Sequence, residues 1–344
     1  MEKRTTIYDI ARRLGISTAT VNRALTGKPR VKEETRRLVI ETAAEMGFKP
    51  NVLARSLARR QFRLAVIGFT SFPEFHNLFL RGARDASAEL ADYNVAVDYF
   101  HYDGGATNTP ESDRFLEDTL HHIMDAGYDG VLALARSTDT FQLLRERGIF
   151  VATAVNDIED GMRDFHICYD GFVAGRIAAE LIYRWMPDRS RPVAIASGFH
   201  NLDIHDRIVS GFQEQMRHTP LNLCAVEYNH DNEGIAYAGT RRLLHAFPTL
   251  GAIYINSFNY RGVIRALEDE GRLRETLLIT SDISSELREL IASGAVAASI
   301  FQNQYEQGRL GLRKLYQALD GIEPVEQTIS IDPQIILSSN LCLF

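Results

Sequence analysis

The sequence predicts a small all-α headpiece with a helix–turn–helix, joined to an α/β body of two doubly wound lobes. Three observations support this fold class. The first 25 residues contain two short helical patterns separated by a glycine. Residues 1–60 hold 14 Lys and Arg against 6 Asp and Glu, whereas the remaining residues hold 24 against 39. From residue 63 onward, apolar strand patterns alternate with helical patterns, which is typical of parallel sheets covered by helices.

The helix–turn–helix pattern occupies Thr6–Leu25, TIYDIARRLGISTATVNRAL. Gly15 interrupts the first helical run, and Ser17 stands where its hydroxyl can accept a backbone N–H of the second helix. Two short helices across such a turn place the second one where it can enter a DNA major groove. Because the basic residues cluster in the same segment, we favour DNA binding over a merely solvated basic face. The candidate buried positions are Ile7, Ile10, Ala11, Leu14, Ala19, Val21, Ala24 and Leu25.

A third helix is predicted over Val31–Met46, after the turn signal TGKPR. Gly47 suits the position that ends this helix, and Pro50 stops it. We therefore assign residues 1–50 to the headpiece and residues 51–61, which are short, basic and helix-prone, to a hinge helix. The apolar face of the third helix comprises Val31, Leu38, Val39, Thr42, Ala43 and Met46.

The body, residues 62–344, is too long for a single sheet, so two lobes are expected. In a two-lobe α/β body, a ligand binds in the cleft beyond the carboxyl ends of the strands. The predicted strands are Leu64–Phe69, Val95–Phe100, Gly130–Leu134, Phe150–Ala154, Val193–Ala196, Gly251–Ile255 and Leu277–Thr280. The predicted helices are Leu78–Leu90, Glu111–Ala126, Thr138–Arg147, Phe172–Trp185, Arg207–Arg217, Tyr237–Phe247, Tyr260–Glu270, Glu286–Ser293 and Gln304–Leu319.

Several other classes of protein are disfavoured. Cys168, Cys224 and Cys342 are scattered, so disulfides are not expected and a reducing compartment fits. The N-terminus has no apolar signal-peptide core, and no stretch is long enough to span a bilayer, so a cytoplasmic bacterial protein is expected. The sequence contains neither a glycine-rich phosphate loop nor a G-x-S-x-G elbow, and we expect no cofactor and no enzymatic activity.

A cluster of metal-binding residue types occurs at His200, Asp203, His205 and Asp206. Its spacing matches no structural zinc pattern, and no cysteine joins it. We therefore expect no metal site.

The motifs of the headpiece resemble those of the lactose/galactose-repressor (LacI/GalR) family of transcriptional regulators. The resemblance rests on TIYDIARRLGIS, TVNRAL, TRRLVIETAAEMGFKPN and ARSL. The body is similar to periplasmic sugar-binding proteins of the ribose type, through LRGARDA, DGFVAGRIAAELI and SGAVAASIFQNQYEQG. The resemblance implies a type I periplasmic-binding-protein fold. It also implies a homodimeric repressor that binds a palindromic operator in double-stranded DNA and responds to a sugar or sugar-like effector.

A solute-binding transport component with the same body is the alternative interpretation, and it is disfavoured by the basic headpiece and by the lack of a signal peptide. The first lobe is assigned to about residues 62–168 and 303–327, and the second to about residues 169–302 and 328–344.

The resemblance implies a set of DNA-binding residues. Thr18 and Ala19 match the family's base-reading pair, and a Thr hydroxyl or a methyl group can contact base edges in the major groove. Arg23, one helical turn further on, is placed to bind a guanine, and a phosphate contact or an exposed surface position is an equally good interpretation. Leu57 matches the hinge leucine that wedges into a base step, although packing against a dimer mate is also open. Lys32 replaces the usual capping residue of the third helix. The complete predicted set is Thr6, Tyr8, Ser17, Thr18, Ala19, Asn22, Arg23, Lys32, Thr35, Asn51, Ala54, Arg55 and Leu57.

The predicted effector site combines carboxylates and amides, which pair with vicinal hydroxyls, with aromatic faces, which pack on sugar rings. One position departs from the family, because Arg207 lies one residue earlier than the ligand-binding arginine before Gly211-Phe212. A shift of one residue turns a helical side chain by about 100°. His205 and Asp206 are candidates to replace it. For Asn156 and Ser281, a role in a turn is an equally good interpretation. The predicted set is Phe75, His76, Asn156, Asp157, Arg207, Asn256, Asp282 and Gln302.

Overall fold

The computed structural model describes most of the chain. It covers residues 5–25, 31–48, 61–69, 73–102, 110–134, 138–159, 161–200, 202–322 and 324–344. The chain forms two compact units, Met1–Arg60 and Gln61–Phe344. The predicted hinge helix, with Asn51, Ala54, Arg55 and Leu57, lies outside the described residues.

The described residues of the headpiece contain three helices, α1 (Ile7–Leu14), α2 (Thr18–Leu25) and α3 (Glu33–Glu45). The helix–turn–helix prediction is therefore confirmed. Gly15 has a φ of 64°, a left-handed conformation that glycine adopts without steric cost, and it ends α1. Two predicted buried positions are wrong, because Ala19 is exposed and Leu38 is 51% exposed. The buried core of the headpiece comprises Ile10, Ala11, Val21, Ala24, Val39 and Ala43.

The described part of the body contains two six-stranded sheets, each of which forms the centre of one lobe. The first sheet has the order β11-β5-β4-β3-β1-β2, and all its pairs are parallel. Its strands are β1 (Phe62–Phe69), β2 (Val95–Tyr102), β3 (Gly130–Ala133), β4 (Phe150–Ala154), β5 (Phe165–Tyr169) and β11 (Thr328–Ile331). The second sheet has the order β12-β10-β9-β8-β6-β7, and only the β10–β12 pair is antiparallel. Its strands are β6 (Val193–Ser197), β7 (Leu223–Tyr228), β8 (Ala252–Ile255), β9 (Leu277–Ser281), β10 (Ala298–Phe301) and β12 (Gln334–Ile336).

Nine α-helices are found in the described part of the body, and most connect one parallel strand to the next. They cover the faces of the sheets, as parallel sheets require. Two short 3₁₀ helices, Ala91–Tyr93 and Ser338–Leu343, complete the list of elements. The helices are α4 (Pro73–Glu89), α5 (Pro110–Asp125), α6 (Thr140–Glu146), α7 (Gly171–Trp185), α8 (Asp203–Met216), α9 (Glu233–Ala246), α10 (Tyr260–Asp269), α11 (Ser285–Ala292) and α12 (Gln304–Asp320).

The chain passes between the two lobes three times: from β5 to α7, from β10 to α12, and from β11 to β12. The first two passages leave the carboxyl end of a strand in one lobe and start a helix of the other lobe. Helices that cover a parallel sheet run antiparallel to its strands and start at its carboxyl edge. Each of these passages therefore joins the carboxyl edge of one sheet to the carboxyl edge of the other. The cleft between the lobes therefore lies between these two edges.

The predicted division of the lobes needs one correction. Residues 328–344 were assigned to the second lobe, but β11 pairs with β5 in the first sheet. The chain then returns, and β12 joins the second sheet beside β10. Predicted residues 303–327 do enter the first lobe, where α12 packs against α4.

The two lobes share one large apolar cluster, which contains Phe79 of α4 and Phe212 of α8. Helices α7 and α8 pack with their backbones almost in contact. A Cβ added at Gly211 would overlap the carbonyl oxygen of Phe172, and one added at Gly175 would overlap the carbonyl oxygen of Ile208. Glycine is thus required on both sides of the α7–α8 contact, which fixes the start of α8 relative to the cleft.

Candidate functional sites in the headpiece and the cleft

The exposed side of α2 carries the predicted base-reading residues. Ala19, Asn22 and Arg23 are exposed, and Thr18 is half-buried. Because Val21 and Ala24 are buried on the opposite side, the helix has one face for packing and one face open to a groove. Tyr8 is 67% exposed on α1, and Lys32 and Thr35 lie at the start of α3, exposed and half-buried.

Two of the predicted DNA-binding residues also organise the helix ends. The Thr6 hydroxyl donates to Asp9 Oδ2 at 2.6 Å in a capping box. The backbone N–H of Thr20 donates to Ser17 Oγ at 3.1 Å, which confirms the capping role predicted for Ser17. Lys32 occupies the N-cap position of α3 and makes no side-chain cap.

Among the described residues at the cleft, the side chain of Asn256 is the clearest case of a buried polar group without a hydrogen-bond partner. It follows β8, a central strand of the second sheet, and is 2% exposed. Neither Oδ1 nor Nδ2 has a hydrogen-bond partner. A buried amide without partners costs about 1–3 kcal/mol, so Asn256 is poised to bind a polar group that enters the cleft.

Asp282 and Gln302 are brought together, but mainly by contact with each other. Gln302 Nε2 donates to Asp282 Oδ2 at 2.8 Å, and Gln304 Nε2 donates to Asp282 Oδ1 at 2.6 Å. The carboxyl of Asp282 is buried, and burial raises its pKa to about 7. Gln302 and Gln304 belong to the passage from β10 to α12. Asp282 therefore ties the end of β9 to a connection between the lobes, a role that the sequence analysis did not predict.

Asn156 and Asp157 follow β4 in the first lobe, as predicted, but both have local partners. Asn156 donates its backbone N–H to the Ala154 carbonyl at 2.8 Å, in a tight turn where Val155 has a φ of 67°. Asp157 Oδ2 accepts from Arg163 Nη2 at 2.6 Å, and its other oxygen lies 3.5 Å from His166 Nδ1. Burial lowers the pKa of His166 to about 4. The turn interpretation left open for Asn156 thus matches its geometry, and Asp157 holds its own loop.

Arg207 lies within α8, which starts four residues earlier than predicted. Its guanidinium is half-exposed and lies 3.6 Å from Asp170 Oδ1, at the start of α7. Phe75 and His76 lie in the first turn of α4, with ring centroids 5.2 Å apart, and His76 is buried. These three residues remain candidates for the effector site.

His205 cannot take the place of the family's arginine. Its Nδ1 accepts the backbone N–H of Phe199 at 2.9 Å, and burial lowers its pKa to about 4, so the ring is neutral and holds the loop after β6. Asp206 pairs with His200, whose Nδ1 lies 3.4 Å away. Among the described residues, no three His, Cys, Asp or Glu side chains come together to hold a metal ion.

Residues after β7 belong to the same edge and were missed. His230 and Asp231 have φ values of 51° and 50°, an unusual pair of left-handed residues that are not glycine. Burial raises the pKa of Asp231 to about 6, and Asn259 Nδ2 donates to its Oδ1 at 3.2 Å. The ring of His230 packs edge-on against Phe199. The sequence signal would have been the turn-forming run Asn229–Asn232, had β7 been recognised before it.

Comparisons with known proteins agree with this division of the chain. Residues 65–323 match the family model described as periplasmic binding protein domain. Residues 6–51 match the model described as bacterial regulatory proteins, lacI family. The chain thus belongs to the family of the periplasmic binding protein domain and carries a headpiece of the lacI type. This regulator is 23% identical over 337 residues to catabolite control protein A of Staphylococcus epidermidis, with 96% of each chain covered. It is also 23% identical over 339 residues to the protein of that name from Staphylococcus xylosus, again with 96% of each chain covered.

Solved structures show the same fold in the body. The glucose-galactose binding protein GanP of Geobacillus stearothermophilus has a TM-score of 0.72 and 21% identity, covering 82% of this chain and 99% of its own. The arabinose binding protein AraP of the same organism has a TM-score of 0.71 and 19% identity, covering 83% and 99%. Because the headpiece is of the lacI type, the regulator interpretation is favoured over a transport component. None of the described helices is both long and apolar enough to cross a membrane.

Proposed function

We propose that this lacI-family regulator is a homodimeric repressor that binds a palindromic operator and is controlled by a polyhydroxylated effector. The effector, a sugar or a related polyol, binds in the cleft between the lobes. DNA binding resides in the headpiece, with Thr18, Ala19 and Arg23 presented by α2. The place of action is then the bacterial cytoplasm, at the nucleoid, where operator DNA lies.

The unpaired side-chain amide of Asn256 carries the proposal for the effector. An amide presents one acceptor and one donor side by side, and a pair of vicinal hydroxyls offers the matching donor and acceptor. Because both polar atoms of Asn256 are buried and unpartnered, a ligand that pairs with them removes an existing penalty rather than breaking a bond. Solved neighbours of this fold are described with bound D-allose and myo-inositol, which are both polyhydroxylated.

Asn256→Ala should weaken effector binding by about tenfold or more, since two neutral hydrogen bonds together contribute about 2 kcal/mol. A panel of sugars and polyols is first screened by thermal shift on the full chain, and the best ligand is then titrated by calorimetry. The melting temperature of the ligand-free variant should not fall, because the change removes an unpaired buried amide and no side-chain hydrogen bond.

Gln213→Ala is the matched control, because Gln213 is an exposed amide on α8. It should bind the same ligand with wild-type affinity. Equal affinity of wild type and Asn256→Ala would contradict our placement of the effector. A large loss of stability in the ligand-free Asn256→Ala protein would instead give Asn256 a structural role.

The homodimer is tested on DNA selected by the full chain from a random pool. One headpiece offers only one short helix to a groove, so two headpieces on a palindrome should bind far more tightly than one headpiece on a half-site. The logarithm of affinity should fall steeply and linearly with the logarithm of salt concentration, because basic side chains displace counterions from phosphates. Full affinity of a monomer for an asymmetric half-site would rule out this arrangement.

A further inference from the structure

A direct polar contact joins the two lobes at one side of the cleft. Glu74 lies in the first turn of α4 in the first lobe, and Ser285 is the first residue of α11 in the second lobe. The Ser285 hydroxyl donates to Glu74 Oε1 at 2.9 Å, and the backbone N–H of Ser285 points at the same oxygen from 3.4 Å. This N–H is one of the donors that a helix leaves without an internal partner.

On the second-lobe side of this contact, the start of α11 is held by hydrogen bonds within the second lobe. Ser284 caps α11 by accepting the Leu287 N–H at 3.1 Å, and the hydroxyls of Ser284 and Tyr260 lie 2.7 Å apart. The next residue, Glu286, forms an ion pair with Arg261. These contacts fix the first turn of α11, so the direction of its N-terminal N–H groups does not depend on Glu74.

A second residue of α4 in the first lobe also contacts the second lobe. Leu78, one turn after Glu74 on α4, packs against the apolar cluster of the second lobe that includes Tyr260 and Leu287. The start of α4 therefore contributes both a carboxylate and an apolar side chain to the opposite lobe.

We propose that Glu74 is an interlobe latch, whose carboxylate binds the N-terminus of α11 and holds the cleft in its closed arrangement. Two-lobed proteins of this fold open and close about their connecting segments, and a contact between the rims exists only when they are closed. A carboxylate at a helix N-terminus is favourable because of the partial positive charge there. The latch shifts the population of closed molecules, and any ligand that binds the closed form gains affinity by the same factor.

Distances between spin labels on the full chain test the latch without effector or operator, so the result is independent of the proposed function. The labels are attached through p-acetylphenylalanine in place of Ala91 and Ala292, which leaves the native cysteines intact. Both positions are exposed, and they lie near the far ends of α4 and α11. Glu74→Gln keeps the shape of the side chain but removes its charge. The ratio of closed to open molecules should fall about two- to fivefold in this variant.

Glu289→Gln is the control, since Glu289 is an exposed carboxylate on α11, the helix that Glu74 contacts. It should leave the distance distribution unchanged. Ser285→Ala should produce part of the effect, and the double variant Glu74→Gln/Ser285→Ala should fall short of the sum of the two single changes. A Glu74→Gln distribution identical to that of the wild type would overturn the proposal, as would a wild-type chain that shows only the open distance.

Discussion

Gly211→Ala should lower the free energy of unfolding by about 3 kcal/mol, at the upper end of the usual cost of overpacking. The added Cβ would overlap the Phe172 carbonyl oxygen, which belongs to helix backbone and cannot rotate away. The helices α7 and α8 must then separate, and the apolar side chains between them, among them Ile208 and Phe212, lose contact. Urea unfolding followed by circular dichroism measures the change. Gly175→Ala, on the facing helix, should have an effect of similar size.

Gly239→Ala is the control for helix propensity, and it should have the opposite sign. Gly239 lies inside α9, where the nearest atom to an added Cβ is Glu227 Oε2 at 3.2 Å, at the end of a flexible side chain. Alanine reduces the freedom of the unfolded chain and favours a helix, so a gain of about 0.5–1 kcal/mol is expected. If Gly211→Ala were as stable as Gly239→Ala, the close approach of α7 and α8 would be wrong.

The fold class was predictable because the central strands are buried on both faces. Strands β1, β3, β4, β6, β8 and β9 are continuous apolar runs, and each was predicted within one or two residues of its observed bounds. The helices between them were predicted from their amphipathic pattern. Their starts were less accurate: α4 begins at Pro73 and α8 at Asp203, because the first turn of a helix can be polar and still be ordered.

Three of the strands that were missed, β5, β7 and β11, carry polar residues for physical reasons. β7 and β11 are edge strands: every residue of β7 is only half-buried and Glu227 interrupts its apolar run, and β11 alternates polar and apolar residues. β5 reads FHICY, with His166 and Cys168 facing a polar network that includes Asp157. Without β11, the passage that returns the chain to the first sheet could not be predicted.

The positions of the candidate site residues at the sheet edge were predictable, but the hydrogen-bond partners of their side chains were not. Parallel strands end at one edge, so Asn256 and Asp282 were correctly expected at that edge from the order of strands alone. Which side chains are open to a ligand depends on neighbours far away in sequence. The side chain of Asp282 is engaged by Gln302 and Gln304, whereas the side-chain amide of Asn256 has no partner in the described structure. No local pattern separates the two cases.

Asp282→Asn should remove a pH dependence from the stability of the protein. Burial raises the pKa of Asp282 to about 7 in the folded state, whereas an unfolded Asp has a pKa of about 3.9. The folded protein thus keeps a proton that the unfolded chain has already released. The free energy of unfolding contributed by this group is highest below pH 4 and is lost as the pH rises to about 7. The stability of the variant relative to the wild type should therefore increase by about 2–4 kcal/mol between pH 4 and pH 8.

The measurement is urea unfolding at several pH values, with Asp139→Asn, an exposed carboxyl at the start of α6, as the control. His166 and His205 also have shifted pKa values, but they are present in every variant and cancel in the difference. Asp282→Ala should behave differently from Asp282→Asn, because alanine leaves the buried amides of Gln302 and Gln304 without an acceptor at any pH. That variant should lose about 2–4 kcal/mol of stability even at pH 5. Parallel pH profiles for wild type and Asp282→Asn would contradict the prediction, because they would show that the pKa of Asp282 is not raised in the folded protein.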